Sequence, residues 1–176
     1  MTPFRLTLAA AIAALLTTMS AQAELAKGDS APIFTTKAAM AGKEFGFSLA
    51  TALKQGPVVL YFYPKAFTSG CTLEANAFAE AMPDFKAQGA SVIGMSNDPI
   101  ETLKRFSREE CRDAFPVGVA SVDLLTDYDV GGPESPYARR TSYVIAPDGT
   151  IATVYSSGDY REHVSRTLAA VKNLAK

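Results

Sequence analysis

The sequence predicts a three-layer α/β domain, a central mixed β-sheet flanked by helices with a β-hairpin ahead of it. Two uninterrupted apolar runs, Val58-Val59-Leu60-Tyr61-Phe62-Tyr63 and Ser91-Val92-Ile93-Gly94-Met95-Ser96, carry most of that prediction. A strand apolar at nearly every position is covered on both faces, as strands of parallel sheets are. The runs lie 27 residues apart with a helical pattern between them. That is a βαβ unit, whose strands are parallel and whose crossover is right-handed. The third observation is a pair of β-branched runs, 141–145 and 150–155, around Pro147-Asp148-Gly149, an antiparallel hairpin followed by a closing helix.

In chain order, residues 1–23 read as an export leader. Met1 and Arg5 give a basic start, an apolar run of 14 residues extends from Leu6 to Met19, and Ala21-Gln22-Ala23 fits the small-x-small cleavage rule. The run is shorter than the about 20 residues of a bilayer span. The expectation is therefore one soluble domain, 24–176, exported to the bacterial periplasm. Residues 31–36 are expected as a short edge strand and 43–48, alternating through Phe45 and Phe47, as its hairpin partner. Ser48 should cap a helical turn reaching Leu53, which Gly56-Pro57 stops. Pro64 ends the first central strand, and 65–70 is a loop. A helix follows from Cys71 with Leu73, Phe78, Met82 and Phe85 as apolar positions, and Pro83 is expected to kink or break it. Asn97-Asp98-Pro99 should cap a third helix, with Pro99 at its first helical position, running to about residue 114. Residues 117–122 form a weaker strand, 123–139 a loop, and 160–174 the last helix. A parallel βαβ followed by a hairpin and a helix is the thioredoxin-like order.

Composition excludes several function classes. Lys and Arg number 17 against 18 Asp and Glu, and losing Arg5 with the leader leaves 16 against 18, a net charge of −2. That balance argues against nucleic acid or an anionic membrane as partner. With one histidine and two cysteines, the chain lacks the four N or S ligands of a structural zinc site. His163 is expected to be exposed or capping. Cys71 and Cys111, in an exported protein, would ordinarily form a structural disulfide. A buried free cysteine acting as a small hydrophobe is the other plain reading.

Cys71 nevertheless occupies a chemically favoured place. It follows the C-terminal end of a buried parallel strand, where open α/β sheets bind ligands. It also opens a helix, whose free N–H groups and partial positive charge favour the thiolate, the reactive form of sulfur. With a peroxide as target, negative charge develops on the leaving oxygen. Backbone N–H groups of residues 69–71, the Thr68 hydroxyl and a nearby cation are placed to receive it. Pro64 has no N–H and walls the pocket without competing for sulfur.

Pro64-x-x-x-Thr68-x-x-Cys71 resembles the active-site motif of the peroxiredoxins, thiol peroxidases of the thioredoxin fold. The string from Gly56 to Lys65, and Cys71-Thr72-Leu73-Glu74-Ala75, are similar to the bacterioferritin-comigratory, PrxQ-type subfamily. Residues 92–98 and 140–145 continue the match, and Gly28-Asp29 with Pro32 and Phe34 resembles its N-terminal signature. The resemblance covers most of residues 25–155.

It implies that Cys71 is the peroxidatic cysteine, that Thr68 hydrogen-bonds sulfur and substrate, that Pro64 shields the sulfur, and that Arg140 stabilises thiolate and transition state. Phe67, Gly70 and Glu74 would line the pocket, Glu74 serving equally as an acidic residue at a helix start, with Tyr63 in simple packing and Arg139 as a solvated charge. The implied reaction reduces hydrogen peroxide or organic hydroperoxides through a Cys71 sulfenic acid, with no cofactor, in a monomer. The subfamily's common resolving position, five residues after Cys71, holds Asn76, so the resolving role falls to Cys111, on the third helix. A thioredoxin-like dithiol would then reduce the Cys71–Cys111 disulfide. Because disulfides need Cα atoms about 4.4–6.8 Å apart, both segments are expected to loosen on oxidation. Three alternatives stand beside this: a one-cysteine peroxidase resolved by an external thiol, a non-catalytic domain with a permanent Cys71–Cys111 bridge, and a thiol–disulfide oxidoreductase, disfavoured by the lack of Cys-x-x-Cys. Residues 124–139 depart from the family pattern, with Tyr128-Asp129-Val130-Gly131 as a remnant.

Overall fold

The computed structural model describes residues 25–174, so the leader expected over 1–23 lies outside the described residues. Seven strands form one sheet: β1 (Thr35–Met40), β2 (Lys43–Ser48), β3 (Val58–Phe62), β4 (Ser91–Ser96), β5 (Val117–Val119), β6 (Thr141–Ile145) and β7 (Ile151–Ser156). Their order is β2-β1-β5-β4-β3-β6-β7. β3 is parallel to β4 and β4 to β5, while β6 and β7 complete the sheet antiparallel on one side and the β1–β2 hairpin on the other. The helices are α1 (Leu49–Leu53), α2 (Ser69–Ala87), α3 (Ile100–Glu109), α4 (Val122–Asp127) and α5 (His163–Leu174), the last led in by a 3-10 turn over Tyr160–Glu162. No described helix is long and apolar enough to cross a membrane. This is the mixed, thioredoxin-like sheet that the pattern predicts.

β3 shows why its sequence is apolar throughout. Val58, Leu60 and Phe62 face one layer with Leu49, Leu53, Leu124 and Leu125, whereas Val59 and Tyr61 face the other with Phe78, Met82, Phe85, Leu103, Phe106 and Val171. Each such side chain contributes about 1.5–3 kcal/mol of transfer free energy on burial. Gly94 pairs with Tyr61 across β3 and β4, and a Cβ there would stand 2.7 Å from the tyrosine ring. Glycine therefore lets Tyr61 lie flat across β4 and stack on Phe78 with ring centroids 4.4 Å apart.

Several boundaries differ from expectation. The first edge strand starts at Thr35 rather than 31, because residues 28–31 bond to Gly149 and Ile151 beside β7 instead. α2 begins two residues earlier, at Ser69, and passes Pro83 without a break. Phe78, Met82 and Phe85 all bury on one face and hold both halves of the helix to the same core. α3 starts at Ile100 with Pro99 as its N-cap, and it stops at Glu109 rather than near 114. Arg112 and Asp113 adopt φ of 51° and 56°, left-handed values that end a right-handed helix. The expected loop over 123–139 holds α4, capped by Ser121, whose Oγ accepts from the Leu124 N–H at 3.1 Å. Six residues are too few to display a helical period, so the packing of Leu124 and Leu125 declares it only in three dimensions.

Candidate active site

The loop between β3 and α2 is held from below. Asp98, expected as a helix cap, instead turns its carboxylate inward, where Oδ2 accepts from the Ala66 N–H and from Ser96 Oγ, each at 2.8 Å. Phe67 takes a left-handed φ of 64° and is supported by the Phe106 ring at 5.2 Å and the Arg105 guanidinium at 5.0 Å. Thr68 follows as the N-cap of α2. Its hydroxyl donates to the Lys65 carbonyl at 2.9 Å rather than to the sulfur that the motif implies. Pro64, half-buried, and Phe67 form one wall of a cleft of about 500 Å³ shared with Lys65, Asn97, Pro99, Thr102, Pro136 and Tyr137. The unusual 124–139 segment thus reaches the site through its last residues.

Cys71 lies in the first turn of α2, only 2% exposed. Arg140, one residue before β6, reaches it across the sheet edge with Nη2 3.4 Å from Sγ. The guanidinium is fixed on its other sides: Nη1 donates to Glu74 Oε2, and Nε donates to the Gly158 carbonyl at 3.2 Å. Gly70 makes room for this approach, since a Cβ there would lie 3.2 Å from Arg140 Nη2. Arg139 points outward and pairs with Asp129 at 3.2 Å, the solvated role expected of it. Tyr63 packs in the core against Phe106.

Glu74, three residues after Cys71 on the same helix face, is fully buried. Burial pushes its carboxyl up to about 8, against the charge and hydrogen bond of Arg140. Its second oxygen, Oε1, has no hydrogen-bond partner. Nδ1 of His163 lies 3.8 Å from it, beyond hydrogen-bond distance. His163 is fully buried, which corrects the expectation of an exposed or capping residue. Nδ1 is bonded to Ser142 Oγ at 2.8 Å and Nε2 to the Ser157 carbonyl at 3.1 Å. Burial, and then the charge of Arg140, lower its basicity, while the bond to Ser157 works the other way.

Cys111 has a different setting. It lies past the C-terminus of α3 rather than on the helix, and it is fully buried rather than at the margin of an apolar face. Both cysteines are free thiols within one apolar core cluster. Burial raises the Cys111 thiol, and the neighbouring Glu110 and Asp113 charges add to the effect. Asn76, at the subfamily's usual resolving position, donates to the Thr72 carbonyl at 2.8 Å and to Glu110 Oε2 at 3.2 Å. It therefore ties the start of α2 to the turn that carries Cys111.

The structure thus brings Cys71, Gly70, Glu74 and Arg140 together, with Pro64, Phe67 and Thr68 beside them, and Cys111 shares the apolar cluster of Cys71 without a bond to it. Sequence reasoning missed Asp98, Ser142 and His163. Asp98 was visible only as a cap, and the other two had no signal beyond their polarity. A thiol between a helix N-terminus and a fixed guanidinium can act as a nucleophile toward a substrate that releases an anion.

The AhpC/TSA family pattern matches residues 27–154. The chloroplastic Peroxiredoxin Q of Sedum lineare is 32% identical over 157 residues, covering 86% of this chain and 81% of that protein. The crystal structure of Peroxidoxin BcpB from Mycobacterium tuberculosis superposes with a TM-score of 0.76 at 29% identity, covering 85% of this chain and 98% of that one. A Xanthomonas campestris bacterioferritin comigratory protein, described with alkyl peroxide reduction activity, gives a TM-score of 0.69 at 27% identity over 80% of this chain and 92% of its own.

Proposed function

The chain belongs to the AhpC/TSA family and is a thiol peroxidase of the peroxiredoxin kind, and on that premise we propose that Cys71 is its peroxidatic residue. The observation that carries the assignment is Arg140 Nη2 at 3.4 Å from Cys71 Sγ, beside the N-terminus of α2. The thiolate attacks one peroxide oxygen. The S–O bond forms as the O–O bond breaks, and the leaving oxygen takes a proton to depart as water or alcohol. Arg140 and the N–H groups of residues 69–71 face the charge that develops in this step. The cleft over Pro64, Phe67 and Tyr137 suits the carbon chain of an organic hydroperoxide, in line with the alkyl peroxide activity of the Xanthomonas protein.

Cys111 then condenses with the sulfenic acid, releasing water and forming an intramolecular disulfide, which a thioredoxin-like dithiol reduces. This step requires the Cys111 turn to leave the core. Its support is the left-handed pair Arg112 and Asp113 and the exposed pairing of Arg112 with Glu80 at 3.1 Å, which bind the turn weakly. The basic start, apolar run and small-x-small site of residues 1–23 support export of a single domain to the periplasm.

Peroxide consumption by the reduced protein tests the assignment. Cys71→Ser is expected to lower it by at least about a thousandfold, and an unchanged rate overturns the reading. Complete burial of Cys111 also favours a second reading, the one-cysteine peroxidase resolved by an external thiol. Cys111→Ser separates the two, because steady turnover with a dithiol protein reductant survives only in the second.

A further inference from the structure

Arg140 is held by the turn after β7, and that turn is pinned in its place by a buried side chain with no part in the peroxide step as derived above. We propose that this side chain, His163, is a positioning residue for that step: by holding the Ser157 carbonyl it fixes the turn whose Gly158 carbonyl aims the Arg140 guanidinium at Cys71. The proposal rests on the peroxidatic assignment of Cys71.

Three hydrogen bonds join the histidine, the turn and the cation. The Ser157 N–H donates to the Arg140 carbonyl at 3.1 Å, Arg140 Nε donates to the Gly158 carbonyl at 3.2 Å, and His163 Nε2 stands 3.1 Å from the Ser157 carbonyl. A carbonyl can only accept, so Nε2 carries the hydrogen. The lone pair of Nδ1 is taken by the Ser142 hydroxyl at 2.8 Å. Both ring nitrogens are thereby satisfied, and the tautomer and the tilt of the ring are set. Ser142 belongs to β6, two residues after Arg140. The imidazole therefore bridges the strand that follows the cation and the turn that grips it.

A guanidinium is planar, and its N–H directions are fixed relative to one another. With Nε on the Gly158 carbonyl and Nη1 on Glu74, the Nη2 group is left to Cys71 Sγ at 3.4 Å. Glu74 is secured by its helix. Gly158 is not: it is exposed, lies between β7 and the 3-10 turn, and has no side chain to pack. The place of its carbonyl depends on the peptide before it, and the Ser157–Gly158 peptide is the one that His163 holds. His163 itself is firmly seated. It is fully buried at the start of α5, with the Tyr155 ring 4.7 Å away and its own carbonyl accepting from Thr167 Oγ1 at 2.7 Å. Without the bond to Ser157 the Gly158 carbonyl ranges more widely and Arg140 spends less time on the sulfur. The thiolate and the departing peroxide oxygen then lose part of their counter-charge.

His163 is the only histidine in the sequence, so its ring nitrogens can be read by NMR in the native protein without assignment. At about pH 8, above the ordinary imidazole value, the Nε2–H tautomer is expected, and an Nδ1–H tautomer overturns the proposal whether or not any variant folds. Variants supply the second test, in a Cys111→Ser background where Cys71 is the one thiol left. Glutamine can put an amide N–H where Nε2 stands, whereas asparagine reaches only the position of Nδ1. His163→Asn is expected to slow oxidation of Cys71 by hydrogen peroxide about tenfold and to raise the midpoint of Cys71 alkylation by about one pH unit, and His163→Gln to restore the rate to within about threefold of the native one. Added to Arg140→Leu, His163→Asn is expected to change neither quantity further. Equal losses in the two His163 variants, no loss in either, or a loss that persists in full beside Arg140→Leu overturns the proposal. Alkylation consumes no peroxide: a native protein that leaves peroxide untouched refutes the peroxidase, while the contrast between the two variants still reports how Arg140 is aimed.

Discussion

The two cysteines are almost equally buried, Cys71 at 2% exposure and Cys111 at 0%, yet their surroundings have little in common. Cys71 lies at the positive end of a 19-residue helix, with a guanidinium held against it by a carboxylate and a carbonyl. Cys111 sits in an irregular turn with left-handed residues after it, and the charges that act on its thiol, from Glu110 and Asp113, are negative, while Arg112 turns outward to Glu80. Burial therefore does not distinguish the two sulfurs. The sign of the nearby charge does, together with whether the backbone around the sulfur is regular. One sulfur has a cation and a helix start beside it, which favour the thiolate; the other has burial and anionic neighbours, which favour the protonated thiol.

The largest test of this contrast is Arg140→Leu, which removes the cation from one cysteine and leaves the other untouched. The rate of Cys71 oxidation by peroxide is expected to fall by about a hundredfold or more, and a fall under threefold would break the comparison. Next comes the pH dependence of stability, measured by denaturant unfolding. The folded-state carboxyl of Glu74 is raised to about 8 from an ordinary 4.5. Its contribution is thus fully present below the lower value and is lost as pH rises toward the upper one. His163, lowered in the fold, disfavours folding only where the unfolded imidazole binds a proton that the buried ring does not, below its ordinary value of about 6.5. The two effects offset in mild acid, so the net loss is expected between about pH 6.5 and 8 and amounts to about 2 kcal/mol. Glu74→Gln should flatten it, and an equal slope in that variant would remove the carboxyl as its cause. The smallest effect belongs to Asn76→Ala, which unties the Cys111 turn from α2. Formation of the Cys71–Cys111 disulfide after a peroxide pulse is expected to quicken by about two- to fivefold, whereas slower closure would mean that Asn76 positions the turn rather than restrains it.

Much of this was readable from residue order. The apolar runs of β3 and β4, the turn at 147–149 and the Pro64-to-Cys71 spacing identify a strand end meeting a helix start, and that junction is where the sulfur stands. Arg140, at the entrance to β6, was named from its flanking string. These signals are local: a strand covered on both faces writes an apolar residue at each step, and a turn writes its glycine and proline. Other features left no such trace. α4 is too short for a period, the end of α3 depends on two left-handed residues of ordinary type, and Asp98, Ser142 and His163 look like surface polar residues in a one-dimensional reading.

Residue order alone was therefore enough for the fold class and for placing Cys71 where a strand end meets a helix start, because each is encoded by neighbours a few residues apart. The meeting of Arg140 with Cys71, 69 positions away, and the burial of His163 near Glu74 came from the packed chain. Those contacts depend on how β6 pairs with β3 and on where α5 lands against α2, and long-range pairing of this kind is set by the burial of the whole sheet rather than by any segment within it.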